Sequence, residues 1–358
     1  MDRLNNALAC IREDVRATQA YPVQSAAGLI KLDTMENPFR LPDALQRELG
    51  ERLGRVAINR YPAERTQVLA AALAEHAGMP AGCGITLGNG SDEIITMLTM
   101  AVSRPGAKIL SPLPSFVMYG ISARYQGLDF VGVPLTPDFE LDEAAMLAAI
   151  EQHQPALIYL AYPNNPTGNL WDAAVIERIV RAAAGLVVMD EAYQPFAARD
   201  SMGLLAQYAN VLVMRTMSKF GLAGVRIGYL IGAQSLIAEI DKIRPPFNVG
   251  VLNAEAGLFA LEHAEVYAEQ ARVLRAERDG LLAALRELPG VDPFPSQGNM
   301  ILARVADAAR VFQAMKARGV LIKNVSAMHP LLANCLRITI GTPEENQAML
   351  AALRESLQ

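Results

Sequence analysis

Short, continuous apolar runs alternate with helical stretches through the middle third of the chain. The runs are rich in Val, Ile, Leu and Tyr and lie at residues 107–112, 156–163, 185–190, 210–216 and 227–232. Continuous rather than alternating apolarity is typical of strands that are buried on both faces. Segments 91–103 and 171–184 read as helices between them, and Ser91 is expected to be the N-cap of the first. The pattern predicts an α/β fold with a large, doubly wound, mostly parallel sheet.

The C-terminal third has a different organisation. A long amphipathic segment, 253–288, exceeds what one helix inside a compact domain usually needs, and we expect it to bridge two domains with a bend. The remaining sequence reads as strand, helix, strand, strand, helix, which predicts a smaller α+β domain. We expect residues 1–60 to form an N-terminal arm and part of the small domain, 61–270 the large domain, and 271–358 the small C-terminal domain.

Composition narrows the class of partner. The 358 residues are about half apolar, carry a formal charge of -5 and contain no basic block, which argues against a nucleic-acid or membrane surface. No apolar run approaches the roughly 20 residues that span a bilayer. Cys10, Cys83 and Cys335 are widely separated, so neither a disulfide framework nor a metal site is expected. These features predict a cytoplasmic protein that acts on small molecules.

Several unusual polar groups follow the apolar runs. In an open α/β sheet, ligands collect at the carboxyl ends of the strands. "LGNGSDE" (87–93) places glycines before a helix, an arrangement suited to a phosphate, and "YPNNPTG" (162–168) ends the next strand. Asp190 ends a buried run, where a carboxylate costs desolvation energy unless a cation meets it. Lys219 lies in a glycine-rich turn that ends in Arg226, and such a lysine can act as a nucleophile towards carbonyls.

Taken singly, these motifs have ordinary structural explanations, but their order is specific. "GNGSDE", "YPNNPTG", "DEAY", "SKFGLAGVRIGY" and "LRITIG" extend over some 250 residues in the order found in fold-type I aminotransferases that depend on pyridoxal 5'-phosphate (PLP), and the chain resembles that family. The resemblance implies the fold-type I architecture, with PLP bound in the large domain.

The resemblance also implies catalytic roles. Lys219 would bond covalently to PLP and later move a proton, while Asp190 would pair with the protonated pyridine nitrogen. Asn165 and Tyr193 would hydrogen-bond the phenolic oxygen of the ring. Phe116 would stack on the ring, where similar proteins often have Tyr.

The same resemblance implies a set of phosphate contacts. These would come from Ser91, the amide of Gly90, Ser218 and Arg226, and Asp92 and Thr216 would also belong to the cofactor-binding set. Tyr61 would reach the phosphate of the neighbouring subunit's cofactor, which implies a homodimer with shared active sites.

Within this family, nearly the whole chain most resembles the histidinol-phosphate aminotransferases, which exchange the amino group of L-histidinol phosphate with 2-oxoglutarate. Arg337 would bind the substrate anions, and Tyr21 would contact the substrate phosphate. Lys323 stands where a second arginine is common, and lysine lacks the bidentate geometry of arginine. Aromatic amino-acid aminotransferases, and then threonine-phosphate decarboxylases, therefore remain alternatives. A ligand-sensing transcription regulator is disfavoured, because the N-terminal arm is too short for a winged helix. The negative net charge of the chain also does not favour binding to DNA.

Overall fold

The computed structural model describes residues 2–20 and 24–358. Thirteen strands are described: β1 Ile30–Lys31, β2 Cys83–Gly88, β3 Lys108–Leu113, β4 Asp129–Pro134, β5 Leu157–Ala161, β6 Leu186–Asp190, β7 Val211–Thr216, β8 Gly228–Ala233, β9 Val291–Pro293, β10 Met300–Val305, β11 Val320–Leu321, β12 Lys323–Asn324 and β13 Cys335–Thr339.

The helices of the described residues cover both faces of the large sheet and the small domain. They are α1 Asp2–Ala9, α2 Glu13–Arg16, α3 Asp43–Gly54, α4 Ala63–His76, α5 Ser91–Ala101, α6 Met118–Tyr125, α7 Glu143–His153, α8 Ala173–Ala182, α9 Met202–Leu205, α10 Gln234–Asp241, α11 Val251–Glu262, α12 Ala264–Arg286, α13 Ala308–Ala317 and α14 Pro343–Leu357. Short 3-10 and π turns lie between some of them.

The large sheet has seven strands in the order β2-β8-β7-β6-β5-β3-β4. Only β8 runs against its neighbours, so the sheet is mostly parallel, as predicted. All five residues of β5 are buried, and they pack alternately into the apolar clusters on the two faces of the sheet. Burial on both faces explains why this strand reads as an unbroken apolar run.

Strand register brings the polar strand ends to one edge of the sheet. Ala161 of β5 pairs with Asp190 of β6, which in turn pairs with Met214 of β7. Gly228 of β8 pairs with both Thr216 and Gly88, so β2 also ends at this edge. The loops after β2, β5, β6 and β7 therefore open towards a common space.

A second, four-stranded antiparallel sheet has the order β12-β13-β10-β9 and carries its own apolar core. The N-terminal strand β1 joins this part of the chain by pairing in parallel with β11. The long amphipathic segment breaks at His263 (φ -118°, ψ 34°), so the predicted bend is confirmed. The expected domain boundary at residue 270 falls inside α12 and stays a prediction.

The expected N-cap of α5 is wrong by one residue. Gly90 occupies the cap with φ +80°, and Ser91 is the first helical residue. Glycine adopts this backbone conformation at little cost, whereas serine would be strained there. The cap therefore makes no side-chain hydrogen bond, which leaves the first amides of the helix to other partners.

Candidate active site

A cleft of about 310 Å³ opens at the carboxyl edge of the large sheet, between it and the small domain. It is lined by twelve of the predicted site residues: Ser91, Asp92, Phe116, Asn165, Asp190, Tyr193, Thr216, Ser218, Lys219, Arg226, Lys323 and Arg337. Gly90 does not line the cleft but packs against the Arg226 guanidinium. Tyr61 lies outside the cleft and lines a separate open groove. Tyr21 is outside the described residues.

Lys219 follows β7 in a tight turn and extends into the cleft. Its Nζ donates a hydrogen bond of 2.9 Å to the carbonyl oxygen of Thr34. Burial, aided by the positive charge of Arg337, lowers the pKa of the Lys219 amine to about 8. A usable fraction of the amine is therefore neutral near physiological pH, as nucleophilic attack on a carbonyl requires.

The turn after Lys219 depends on Gly221. This residue has φ +146°, and a Cβ there would lie 2.6 Å from the ring of Tyr267. A glycine is thus required by both the backbone conformation and the close packing.

Asp190 provides a buried negative charge at the end of β6, with 4 % of its surface exposed. Oδ2 accepts a 2.6 Å hydrogen bond from the Tyr119 hydroxyl, and Oδ1 accepts one of 3.1 Å from the Ala192 amide. Burial raises the pKa of Asp190 to about 6, and the hydrogen bond from Tyr119 opposes that rise. The carboxylate is mostly ionised at neutral pH, and its charge is available to a cationic ligand.

Asn165, Tyr193 and Arg337 form one chain of hydrogen bonds across the cleft. Arg337 donates to Oδ1 of Asn165 at 2.6 Å, and the Asn165 amide nitrogen donates to the Tyr193 hydroxyl at 3.0 Å. Because that hydroxyl already accepts from Asn165, its own hydrogen remains to be donated to a ligand oxygen. Burial raises the pKa of Tyr193, which keeps the phenol protonated.

A cup suited to an anion is built around the start of α5. The Arg226 guanidinium lies within hydrogen-bonding distance of Ser218 Oγ (3.3 Å) and Asp92 Oδ2 (3.2 Å). A Cβ on Gly90 would lie 2.3 Å from the Arg226 guanidinium. Helix amides, a hydroxyl and an arginine together match the chemistry of phosphate binding.

β8 also requires a glycine where it packs against the loop that begins α5. A Cβ on Gly228 would lie 2.6 Å from the amide nitrogen of Ser91. The missing side chain lets β8 pack against the loop that begins α5, and this close packing fixes the position of the cup.

These groups fit PLP, the cofactor implied by the resemblance. The cup would take the phosphate, and Asp190 would take the protonated ring nitrogen. Tyr193 and Asn165 would meet the ring oxygen, and Phe116 offers a flat aromatic face. Lys219 lines the same cleft and would meet the aldehyde.

Sequence reasoning missed several contributors to the site. Tyr119 lies three residues after Phe116 and reaches Asp190, and helical spacing alone was the available signal. The backbone carbonyls of Asp33 and Thr34 hold Arg337 and Lys219 respectively, and no side-chain pattern encodes such contacts.

The adjacent asparagines of "YPNNPTG" have different surroundings. Asn164 bonds Ser115, Thr167 and the Pro114 carbonyl and holds the loop together. Asn165 lines the cleft. The resemblance had assigned the cofactor contact to Asn165, whereas nothing in the sequence indicated the structural role of Asn164.

The sequence matches the family described as aminotransferase class I and II over residues 27–353. The chain belongs to this family. It is 65% identical to the histidinol-phosphate aminotransferase of Methylibium petroleiphilum (strain ATCC BAA-1232 / LMG 22953 / PM1), over 96% of this chain and 94% of that protein.

Solved structures with the same fold were also found. One is a histidinol-phosphate aminotransferase from Sinorhizobium meliloti in complex with pyridoxal-5'-phosphate, with a TM-score of 0.84 and 26% identity over 97% of each chain. Another is an L-threonine-O-3-phosphate decarboxylase from Porphyromonas gingivalis, with a TM-score of 0.78 and 24% identity over 91% of this chain and 99% of that one. At this identity, the second likeness concerns the fold alone.

Proposed function

We propose that this chain is a PLP-dependent histidinol-phosphate aminotransferase of histidine biosynthesis. It would convert L-histidinol phosphate and 2-oxoglutarate into imidazole acetol phosphate and L-glutamate. The observation that carries the proposal is the 65% identity to a histidinol-phosphate aminotransferase over 96% of the chain. The convergence of Lys219, Asp190 and Arg337 on one cleft supplies residues suited to this chemistry.

When bound, PLP supplies an electron sink for the electrons released as the substrate's α proton leaves. The protein's part is to position the reactants and to move protons. Lys219, whose amine has a depressed pKa, would take the proton from the substrate's α carbon and deliver it on the cofactor side. Asp190 holds a negative charge at the bottom of the cleft, where burial strengthens its attraction for a cationic ring nitrogen.

Two cationic side chains would bind the substrate anions. Arg337 and Lys323 are direct partners in the β12–β13 pair, and both line the cleft. Arg337 offers a planar fork that matches carboxylate or phosphate, whereas Lys323 offers a point charge. We assign Arg337 to both substrates and Lys323 to the phosphate of histidinol phosphate.

We further propose a homodimer in which Tyr61 completes the partner's site. Tyr61 is 78% exposed and stacks on the half-exposed Phe247 with ring centroids 4.4 Å apart. It lines an open groove of about 780 Å³ on the face formed by α3, α4 and the start of α11. An exposed aromatic pair beside a groove is an expected feature of an interface.

We place the enzyme in the cytoplasm. Cys10, Cys83 and Cys335 are free thiols, which suits a reducing compartment. In the part of the chain that the structure describes, no helix has both the length and the apolarity needed to cross a bilayer.

A single-turnover experiment tests the substrate. The PLP-loaded protein is mixed, without 2-oxoglutarate, with L-histidinol phosphate, L-phenylalanine or O-phospho-L-threonine, while the absorbance of the bound cofactor and release of CO2 are followed. Fastest conversion with histidinol phosphate, without CO2, supports the proposal. Faster conversion with phenylalanine, or CO2 release from phosphothreonine, contradicts it.

A subunit-mixing experiment tests the shared site. Lys219→Ala and Tyr61→Ala proteins, each of low activity, are mixed under conditions that permit subunit exchange. In a hybrid dimer, one site has both an intact Lys219 and the partner's intact Tyr61, so activity is expected to reappear. Activity that stays at the sum of the two parents would contradict sharing.

A further inference from the structure

Tyr119 is a buried residue that the proposed mechanism does not use. Its hydroxyl donates a 2.6 Å hydrogen bond to Oδ2 of Asp190, and its side chain is fully buried at the wall of the cleft. Asp190 is the carboxylate that would face the cofactor's ring nitrogen. Tyr119 is thus in direct contact with a group proposed to touch the cofactor.

The Tyr119 ring is held rigidly between aromatic neighbours. It stacks on Tyr159 with ring centroids 4.3 Å apart and an interplanar angle of 3°. Phe116 approaches it edge-on, at 5.6 Å and 85°. Phe116 is also the residue proposed to stack on the cofactor ring. Tyr119 therefore contacts both Phe116 and Asp190, two residues proposed to touch the cofactor.

Two hydrogen bonds fix the orientation of the Asp190 carboxylate. Oδ2 is held by Tyr119 and Oδ1 by the Ala192 amide, so the carboxylate cannot rotate without losing one of them. Tyr119 and Asp92 are the ionisable groups that shift the pKa of Asp190, and the Asp190 charge in turn raises the pKa values of Tyr159 and Tyr193. Of these, Tyr119 is the one that donates a hydrogen bond to the carboxylate.

We propose that Tyr119 is a positioning residue that keeps Asp190 ionised and oriented towards a cationic ring nitrogen in the cleft. This inference rests on the proposed PLP chemistry. A phenol that donates to a carboxylate stabilises the charged form, whereas burial favours the neutral form. Loss of the hydroxyl removes the larger of the two hydrogen bonds that oppose the effect of burial and leaves only the one from the Ala192 amide, so the pKa of Asp190 would rise above about 6.

The test compares two buried tyrosines of the same stack. Tyr119→Phe removes the hydrogen bond to Asp190, whereas Tyr159→Phe removes one to the Ile95 carbonyl, at 3.3 Å. The dissociation constant is measured against pH for PLP and for its 1-deaza analogue, which has the same phosphate and aldehyde but no ring nitrogen. Thermal unfolding of each cofactor-free variant is measured in parallel.

Tyr119→Phe is expected to weaken PLP binding about tenfold at neutral pH and to shift the acidic loss of affinity to higher pH. Its affinity for the 1-deaza analogue should stay within about twofold, because the charge of Asp190 has no cation to meet. Tyr159→Phe should leave the pH dependence of PLP binding unchanged. In a second variant, 3-fluorotyrosine replaces Tyr119. Its more acidic hydroxyl donates a stronger hydrogen bond, so the loss of PLP affinity at acidic pH should begin at a lower pH than in the unaltered protein.

Equal weakening of PLP and its 1-deaza analogue would overturn the inference, since the hydroxyl would then act through packing alone. The inference would also be overturned if the fluorotyrosine protein lost its affinity for PLP at the same acidic pH as the unaltered protein. This measurement does not depend on whether Tyr119→Phe folds. Failure of the unaltered protein to bind PLP would overturn the proposed function and the inference together. The two failures are therefore distinguishable.

Discussion

Arg337 and Asn165 are 172 residues apart in the chain, yet the Arg337 guanidinium donates a 2.6 Å hydrogen bond to the Asn165 side-chain oxygen. The same guanidinium donates to the Asp33 carbonyl at 2.7 Å. The small-domain sheet, the large-domain loop after β5 and the N-terminal segment thus meet at one arginine. The proposed substrate anchor is also a link between the parts of the chain that form the cleft.

Replacing Arg337 with Ala is expected to weaken the binding of both substrates. Loss of a charge-assisted hydrogen bond costs about 2 kcal/mol, so the KM values for histidinol phosphate and 2-oxoglutarate should each rise at least about tenfold. Steady-state kinetics with each substrate varied in turn measures this, with the surface variant Arg318→Ala as the control. A rise confined to 2-oxoglutarate would show that other residues hold the substrate phosphate.

Lys323→Ala should act selectively. The Lys323 charge is expected to strengthen the binding of histidinol phosphate through its phosphate. Removing that charge should therefore raise KM for histidinol phosphate about fivefold or more, while KM for 2-oxoglutarate changes little. The ratio of the two KM values is the readout. A Lys323→Arg protein that retains the normal ratio would show that charge alone is sufficient, whereas equal effects on both substrates would contradict the assignment.

Lys219→Ala is expected to abolish turnover while leaving the fold intact. Removal of the proton-transfer group alone should cost at least about 100-fold in kcat. Borohydride reduction followed by peptide mass spectrometry should find PLP on Lys219 in the unaltered protein and in the control Lys242→Ala, and no comparable adduct in Lys219→Ala. A full-strength adduct in that variant would refute the role of Lys219.

The depressed pKa of Lys219 predicts a pH-dependent stability cost in the cofactor-free protein. The folded-state pKa is about 8 and the unfolded value 10.5, so below pH 8 both states are protonated and the folded state bears the full burial cost. The folded state binds fewer protons between pH 8 and 10.5, and stability therefore rises with pH across that window. Lys219→Met should be more stable than the unaltered protein at pH 7, by about 1–3 kcal/mol, and the difference should shrink by pH 10.

Urea denaturation of both cofactor-free proteins at pH 7 and pH 10 measures this difference. All other titrating groups are common to the two proteins, so the change in the difference reports on Lys219. A stability gap that is the same at both pH values would contradict the prediction.

Gly90→Ala is expected to disrupt the phosphate cup. The new Cβ would lie 2.3 Å from the Arg226 guanidinium and would displace it, and PLP affinity should fall at least about tenfold. Gly106→Ala is a matched control, because Gly106 has nearly the same backbone angle, φ +79°, but no atom within 4 Å of the added carbon. Equal losses of PLP affinity in the two variants would attribute the effect to backbone strain.

Many of the residues that line the cleft could be predicted because they lie in short segments that follow strands. Lys219 and Asp190 stood out in sequence as charged groups in apolar surroundings, and both line the cleft. The cap of α5 was assigned to Ser91 rather than Gly90, because composition does not reveal which residue takes a positive φ. Tyr119 was missed because its partner, Asp190, is 71 residues away.

The sequence by itself determined the strand-and-helix order, the mostly parallel sheet and the motif order of the family. These follow from local periodicity, since apolar runs must be buried and glycines permit particular turns. Only the tertiary structure decided that Tyr119 holds Asp190, that Arg337 holds Asn165 and that the Thr34 carbonyl holds the Lys219 amine. Such contacts depend on strand register and on the packing of the small domain against the large sheet, and no local pattern encodes either.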